Sequence, residues 1–278
     1  MDRTGSVIGE RFRIDGLVGR GAMADVYRAF DLESSAYVAL KIMKRSLADD
    51  PEVKLRFSRE AAVQAKLRHP NIAALYTTGV TEQAEPYLVV ELLRGKTLRH
   101  VIKSEPRVAP RKAMSYAWQA LQGLAAVHRS GVLHRDLKPA NIMLEASPGP
   151  IERAVLIDFG FATLEGAAKL TQQGIIVGSL AYVAPERLRG ELPDRRSDLY
   201  AIGVILFEML HGAPPFSADN DIDLVELSLD AAPPPLDPAL PAALREVVGH
   251  ALAKQPAQRY TDATEMAAAL EAAARFVA

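Results

Sequence analysis

The hydrophobic pattern of this chain changes period near residue 95, and that change limits the folds open to it. Up to about residue 92 the apolar residues come in short β-prone runs. Residues 12–18 and 24–30 flank Gly19 and Gly21, which predicts a hairpin with a glycine-bearing turn. Residues 37–43 form another such run, with Lys41 near its end, and residues 87–92 suit a buried strand. The one helical pattern in this part covers residues 51–67, with Val53, Phe57 and Val63 near one stripe, and stops before His69-Pro70. From about residue 96 the pattern is helical. Residues 111–129 carry Met114, Trp118, Leu121, Leu124 and Val127 at helical spacing, and all five, Trp118 included, are expected in a core. Residues 199–210 are apolar almost all round, the mark of a helix buried on every side. Residues 240–253 and 263–274 are Ala-rich amphipathic helices, preceded by a rigid loop with five prolines at residues 231–241. Strands first and helices afterwards predict an α+β protein with two lobes. The small lobe is β-rich with one main helix over residues 1–92, residues 93–95 connect, and residues 96–278 form a larger, mostly helical lobe. Ligands favour the clefts between such lobes.

Composition removes several classes of function. Lys and Arg number 33 against 34 Asp and Glu, a formal net charge of −1, so a general nucleic-acid or anionic-membrane binder is not expected. With no cysteine, disulfides, iron–sulfur clusters, thiolate nucleophiles and cysteine-bound zinc are excluded, and a reducing compartment is compatible. The opening MDRTGSVIGERFR lacks the apolar core of a secretory signal. The longest apolar run, residues 200–210, falls short of the ~20 residues that span a bilayer. The chain reads as soluble.

Four motifs carry chemistry. Gly19-Arg20-Gly21-Ala22-Met23-Ala24 is a G-x-G-x-x-A turn whose glycines let backbone N–H groups approach a phosphate. Alone it is equally an ordinary hairpin turn, and a dinucleotide fold would require a helix where a strand follows here. Val38-Ala39-Leu40-Lys41 ends on a lysine that, taken singly, is a strand-end charge reaching solvent. Glu60, 19 residues later, is singly a solvated helical charge; as a pair, lysine and carboxylate suit a phosphate clamp. Residues 134–141, HRDLKPAN, are far more specific: six such identities arise by chance in fewer than ~1 in 10⁵ chains. An aspartate there can accept a hydroxyl proton, a lysine can neutralise a phosphoryl oxygen, and an asparagine oxygen can hold Mg²⁺. Asp158-Phe159-Gly160 follows the strand-like residues 154–157 and comes 17 residues after Asn141, which turns a plain strand-end turn into a metal-ligand reading.

Taken together, these residues resemble the eukaryotic-like (Hanks-type) serine/threonine protein kinases of bacteria, over nearly the whole length. Residues 19–26 are similar to the glycine-rich loop, 38–41 to the strand lysine motif and 56–61 (RFSREA) to the helix bearing its glutamate. Residues 134–141 are similar to the catalytic loop, 158–160 to the metal motif and 184–186 to the end of an activation segment covering 158–186. The resemblance implies the two-lobed protein-kinase-like fold and ATP with Mg²⁺, for which Mn²⁺ substitutes. It implies that Lys41 grips the α- and β-phosphates and is positioned by Glu60, that Asp158 and Asn141 hold the metal, that Asp136 accepts the hydroxyl proton and that Lys138 meets the γ-phosphate. Gly19 and Gly21 would border the phosphates. The adenine slot would be Val18, Val26, Ala39 and Ile157 over Met143, with Val90 as a small gatekeeper and the Glu91 and Leu93 backbones along the adenine edge. Thr171 would be the principal autophosphorylation site, its phosphate received by Arg135, because Gln173 stands where relatives carry a second threonine. Ser179 would contact Asp136 and Lys138.

The same resemblance implies structural roles. Glu186 would pair with Arg259, Asp198 would hold the catalytic-loop backbone, and His134 and Phe159 would pack in a core spine. His69, His100, His128, His211 and His250 show no ligand-like spacing. Two departures stand out: Ala24 replaces the third loop glycine, at little expected cost, and Gln64 is polar where an apolar spine residue is usual, which bears on how stably its helix sits in the active position. The expected activity is ATP-dependent phosphorylation of protein Ser/Thr hydroxyls, Lys138 favouring these over Tyr. A pseudokinase scaffold would have lost a Lys, Asp or metal ligand, and none is lost. A small-molecule phosphotransferase would lack residues 178–186, GSLAYVAPE. Expected partners are Ser/Thr-bearing proteins, a cognate phosphatase, phosphothreonine readers and a second copy of the chain, with no nucleic acid. The expected location is cytoplasmic, whether as a complete enzyme or as the cytosolic domain of a longer membrane-bound receptor kinase.

Overall fold

The computed structural model describes residues 3–21, 23–158 and 180–277, except for the side chains of Arg56 and Glu60. It divides the chain into two compact units, Met1–Arg94 and Gly95–Ala278.

The first unit is an antiparallel sheet with one principal helix. Its strands are β1 (Val7–Ile8), β2 (Phe12–Arg20), β3 (Ala24–Asp31), β4 (Ala36–Met43), β5 (Leu75–Val80) and β6 (Pro86–Glu91), in the order β1-β2-β3-β4-β6-β5. Period-two alternation gives the sheet two apolar faces. One packs Phe12, Ile14, Tyr27, Ala29, Val38, Leu40, Ile42, Tyr87 and Val89 together. The other sets Ala24, Met43, Leu75 and Leu88 against Phe57 and Ala61 of α1 (Pro51–Gln64). The hairpin is as expected, with both strands starting at the expected residues and running slightly past their expected ends, to Arg20 and Asp31, and with two register shifts in β2. β1 and β5 were not anticipated. β5, LYTTGV, is half exposed and mixes Thr and Gly into the run, so its apolar signal is weak.

Helix α1 starts where expected, with Asp50 capping the Glu52 and Val53 N–H groups and Pro51 in the first turn. It ends three residues before the expected residue 67, because the Lys66 and Leu67 N–H groups bond three residues back, to Val63 and Gln64, and tighten the last turn. Gln64 does not loosen this end. It is buried, and its Nε2 donates to the Ala73 carbonyl at 2.9 Å, tying the helix to the segment that leads into β5. Gln64→Leu should therefore lower stability by about 1–3 kcal/mol by stranding a buried carbonyl. Chemical denaturation reads this directly, and a leucine variant as stable as the parent would refute it.

The second unit is mainly helical. Its elements are α2 (Leu98–Ser104), α3 (Pro110–Arg129), α4 (Pro185–Leu188), α5 (Arg195–His211), α6 (Asp221–Asp230), α7 (Ala242–Ala251) and α8 (Ala263–Ala274). A small sheet accompanies them, ordered β7 (Gly95–Thr97), β8 (Ile142–Glu145), β9 (Arg153–Leu156). Helix α5 is buried on all sides, as its sequence implies, and closes on Gly212 at φ 100°, a left-handed cap suited to glycine. Against it pack α3, α7 and α8, forming one large core. Helix α7 is shorter than residues 240–253 at both ends: Pro241 precedes its start, and it closes at Ala251 with Leu252 as its cap. Trp118 departs from expectation: it is 37% exposed. The centre of the buried face of α3 is lined by Ala113, Ala117 and Ala120, whose small side chains let neighbouring elements approach, and Trp118 falls at its edge. β7, β8, α2 and α6 were also not anticipated. α6 buries only Leu224 and Ser228, so it lacks a clear apolar stripe, and Asn220 caps it.

Candidate active site

Each unit carries its own share of the expected site residues. In the first unit, strand register sets them in cross-strand rows. Gly19 faces Val26, Val26 faces Lys41, Ala39 faces Val90, and Val38 faces Glu91. Val26, Ala39, Lys41 and Val90 therefore share one face of the sheet, the same face that packs α1. The glycine turn closes through the Gly21 N–H donating to the Ala24 carbonyl at 2.9 Å. A Cβ on Gly21 would lie 2.9 Å from that oxygen, so the tight turn needs glycine there. Val18 is 60% exposed at the end of β2, and Leu93 is half-buried just past β6. Glu60 lies within α1, its side chain outside the described residues.

In the second unit the catalytic-loop side chains converge. The Asp136 carboxylate accepts Lys138 Nζ at 3.0 and 2.8 Å and Asn141 Nδ2 at 2.8 Å. Asn141 Nδ2 also donates to the Asp136 carbonyl at 2.8 Å. Both partners of that amide nitrogen are pure acceptors, which fixes the amide orientation and leaves Asn141 Oδ1 as the acceptor of that side chain. Asp136 and Lys138 keep about a quarter of their side-chain surface exposed, 29% and 26%, so a reactant can reach them. The Ile157 N–H donates to the Asn141 carbonyl at 3.0 Å, and β8 pairs with β9 through Met143 and Val155. Asp158 is thereby held beside the loop, at φ 51°. Two hard oxygen donors on one unit, a carboxylate and an amide oxygen, fit Mg²⁺.

The loop backbone rests on buried charge. Asp198, in the first turn of α5, accepts the N–H groups of His134 and Arg135, each at 2.9 Å, and its Oδ2 lies 2.9 Å from His128 Nε2. Burial by itself raises the Asp198 pKa, but the His128 and His134 rings and the Arg135 N–H outweigh it and hold the carboxyl below its usual range. His134 is fully buried, and that burial pushes its pKa down against the pull of the Asp198, Asp136 and Asp158 carboxylates. Grouping His128 with the histidines lacking a ligand pattern missed this contact. Its partner lies 70 residues away, beyond any local pattern.

Glu186 and Arg259 form the expected pair, with two bonds of 2.8 Å. Ser197 Oγ donates to the same carboxylate at 2.6 Å. Phe159, Thr171 and Ser179 lie outside the described residues.

The chain belongs to the protein kinase domain family, whose profile matches residues 12–271. It is 38% identical over 275 residues to the serine/threonine-protein kinase PknB of Mycobacterium tuberculosis, covering 96% of this chain and 43% of that protein. It is 37% identical over 273 residues to the probable serine/threonine-protein kinase SCO3848 of Streptomyces coelicolor, covering 95% and 40%. The chain thus spans about two fifths of the length of these curated relatives. Among solved structures it is similar to the PknI kinase domain of Mycobacterium tuberculosis, with a TM-score of 0.73, 27% identity and coverage of 97% of this chain and 98% of that one.

Proposed function

We propose that the chain is an ATP-dependent protein serine/threonine kinase domain. The observation that carries this reading is the Asp136–Lys138–Asn141 constellation, its side chains hydrogen-bonded to one another while Asp136 and Lys138 stay partly exposed to reactants. Asp136 receives the proton of a Ser or Thr hydroxyl as its oxygen attacks the γ-phosphorus, and the bond to the β–γ bridging oxygen breaks, releasing ADP. Lys138 balances charge on the transferring phosphoryl group. Asn141 and Asp158 would hold Mg²⁺, which when bound neutralises charge on the phosphate oxygens. Lys41, positioned by Glu60, holds the α- and β-phosphates behind the Gly19–Gly21 turn. Val18, Val26, Ala39 and Val90, with the Glu91 and Leu93 backbones, are the residues of the first unit assigned to the base, and Met143 and Ile157 are those of the second, residues 93–95 being the connection. Arg135 receives the phosphate of Thr171. Proteins bearing Ser or Thr are the substrates, and a cognate phosphatase, phosphothreonine readers and a second copy are partners. Among the described residues no helix is long and apolar enough to cross a membrane, and a cytoplasmic setting suits this chemistry.

The test is transfer from γ-labelled ATP to the chain and to a generic basic protein, with Mg²⁺ or Mn²⁺. Metal-dependent label on Ser and Thr is expected, with Thr171 modified in the peptide map. Tight ATP binding without transfer would favour a nucleotide-binding scaffold instead, and active protein with unmodified Thr171 would remove that residue's assignment.

A further inference from the structure

Charged side chains grip both main-chain polar groups of Arg135, the residue before Asp136. Upstream, Asp198 accepts the N–H groups of His134 and Arg135. Downstream, Arg187 Nη1 donates to the Arg135 carbonyl at 2.7 Å. That carbonyl is coplanar with the Asp136 N–H, so the Arg187 bond sets the tilt of the plane from which the Asp136 side chain departs. The residue before that plane needs such support. Arg135 has φ 66°, a left-handed conformation that a residue with a side chain keeps only when its surroundings impose it.

Arg187 acts from a fixed base. It stands on the four-residue helix α4, and its neighbour Glu186 is locked by Arg259 and Ser197. Adjacent residues thus point to different tasks, Glu186 into the helical core and Arg187 toward the catalytic loop. Burial lowers the Arg187 pKa, opposed by the nearby carboxylates of Asp198, Asp136 and Glu186 and reinforced by the like charge of Arg135. Amid those carboxylates, Arg187 spends its hydrogen bond on a main-chain carbonyl, which is the contact expected of a group that orients backbone.

We infer that Arg187 is a positioning residue for Asp136: holding the 135–136 peptide plane keeps the carboxylate aligned with the incoming hydroxyl. This rests on the proton-accepting role proposed for Asp136. Misalignment near an ångström costs about 100-fold in rate, so loss of the bond should lower kcat roughly 10- to 100-fold.

The experiment compares Arg187→Met, which keeps the aliphatic stem, and Arg187→Lys, which keeps a donor and the charge, with the parent chain and Asp136→Asn. The readouts are kcat, KM for ATP and for a protein substrate, and the thermal midpoint. The expected result is a fall in kcat for Arg187→Met with both KM values within about twofold and the midpoint near the parent's, and substantial recovery of kcat in Arg187→Lys. Unchanged kcat in folded Arg187→Met would overturn the inference. So would a raised KM at constant kcat, which marks a substrate contact. Equal losses in both variants that track loss of folded protein would also overturn it, because they mark a purely structural role. If Asp136→Asn retained the parent kcat, the underlying catalytic reading would fall, and this role with it.

Discussion

Arg259→Met should lower stability by about 3–5 kcal/mol, a large part of the 5–15 kcal/mol that typically separates folded from unfolded chains. At about 2–4 °C per kcal/mol for domains near this size, the thermal midpoint should fall by roughly 6–20 °C. The argument is one of saturation. The Arg259 side chain is fully buried, and its guanidinium places two bonds on Glu186, one on the Arg196 carbonyl, one on Ala253 and one on Lys254, at 2.7 to 3.1 Å. It also lies 4.8 Å from the centre of the Tyr200 ring. Five donors meet five acceptors, and removing them leaves a buried carboxylate with Ser197 as its remaining side-chain partner among the described residues and takes a donor from the Ala253 and Lys254 carbonyls; the Arg196 carbonyl lies within helix α5. Arg259→Lys should rescue little, since an ammonium cannot reproduce the planar fork. Replacing both partners by apolar residues should recover much of the loss, because the cost lies in the unpaired charge.

The sign of the acid dependence follows from the same pair. Burial raises the Glu186 pKa, but Arg259 and Ser197 more than offset it, so the folded value sits below the ordinary 4.5. The stabilisation is therefore present above the unfolded pKa and is lost as pH falls through the folded one. A midpoint within 2 °C of the parent for Arg259→Met, measured by calorimetry near pH 7, would contradict this account.

What could be read from the sequence alone divides along physical lines. HRDLKPAN is a local pattern of identities, and its residues meet as their chemistry suggests: Asp136, Lys138 and Asn141 are hydrogen-bonded to one another. The buried helix α5 was equally legible, because an all-apolar helix has one stable environment. Glu186 with Arg259 and Asp198 with the loop backbone were reached through family resemblance, since spacing does not reveal partners 73 and 64 residues apart. His128 and Arg187 were missed for the same reason. Trp118 was misplaced because it falls just past the edge of the α3 stripe, whose buried members include Met114, Leu121, Leu124 and Val127 together with Ala113, Ala117 and Ala120. Gln64 was misjudged because its hydrogen-bond partner, Ala73, lies on the following loop.

The largest expected effect belongs to Asp136. Asparagine in its place keeps the size and an acceptor oxygen, so the bond from Asn141 can persist, but it cannot take the hydroxyl proton. General-base catalysis contributes roughly 10²- to 10⁴-fold, and the rate should fall by that much. ATP affinity should barely move, since the phosphates and base are assigned to other residues. The decisive measurement is the transfer rate from γ-labelled ATP with Mg²⁺, taken beside the ATP dissociation constant, for the parent chain and Asp136→Asn. The account predicts a rate loss of at least about 100-fold with affinity within about twofold. Equal rates in the two proteins would contradict it.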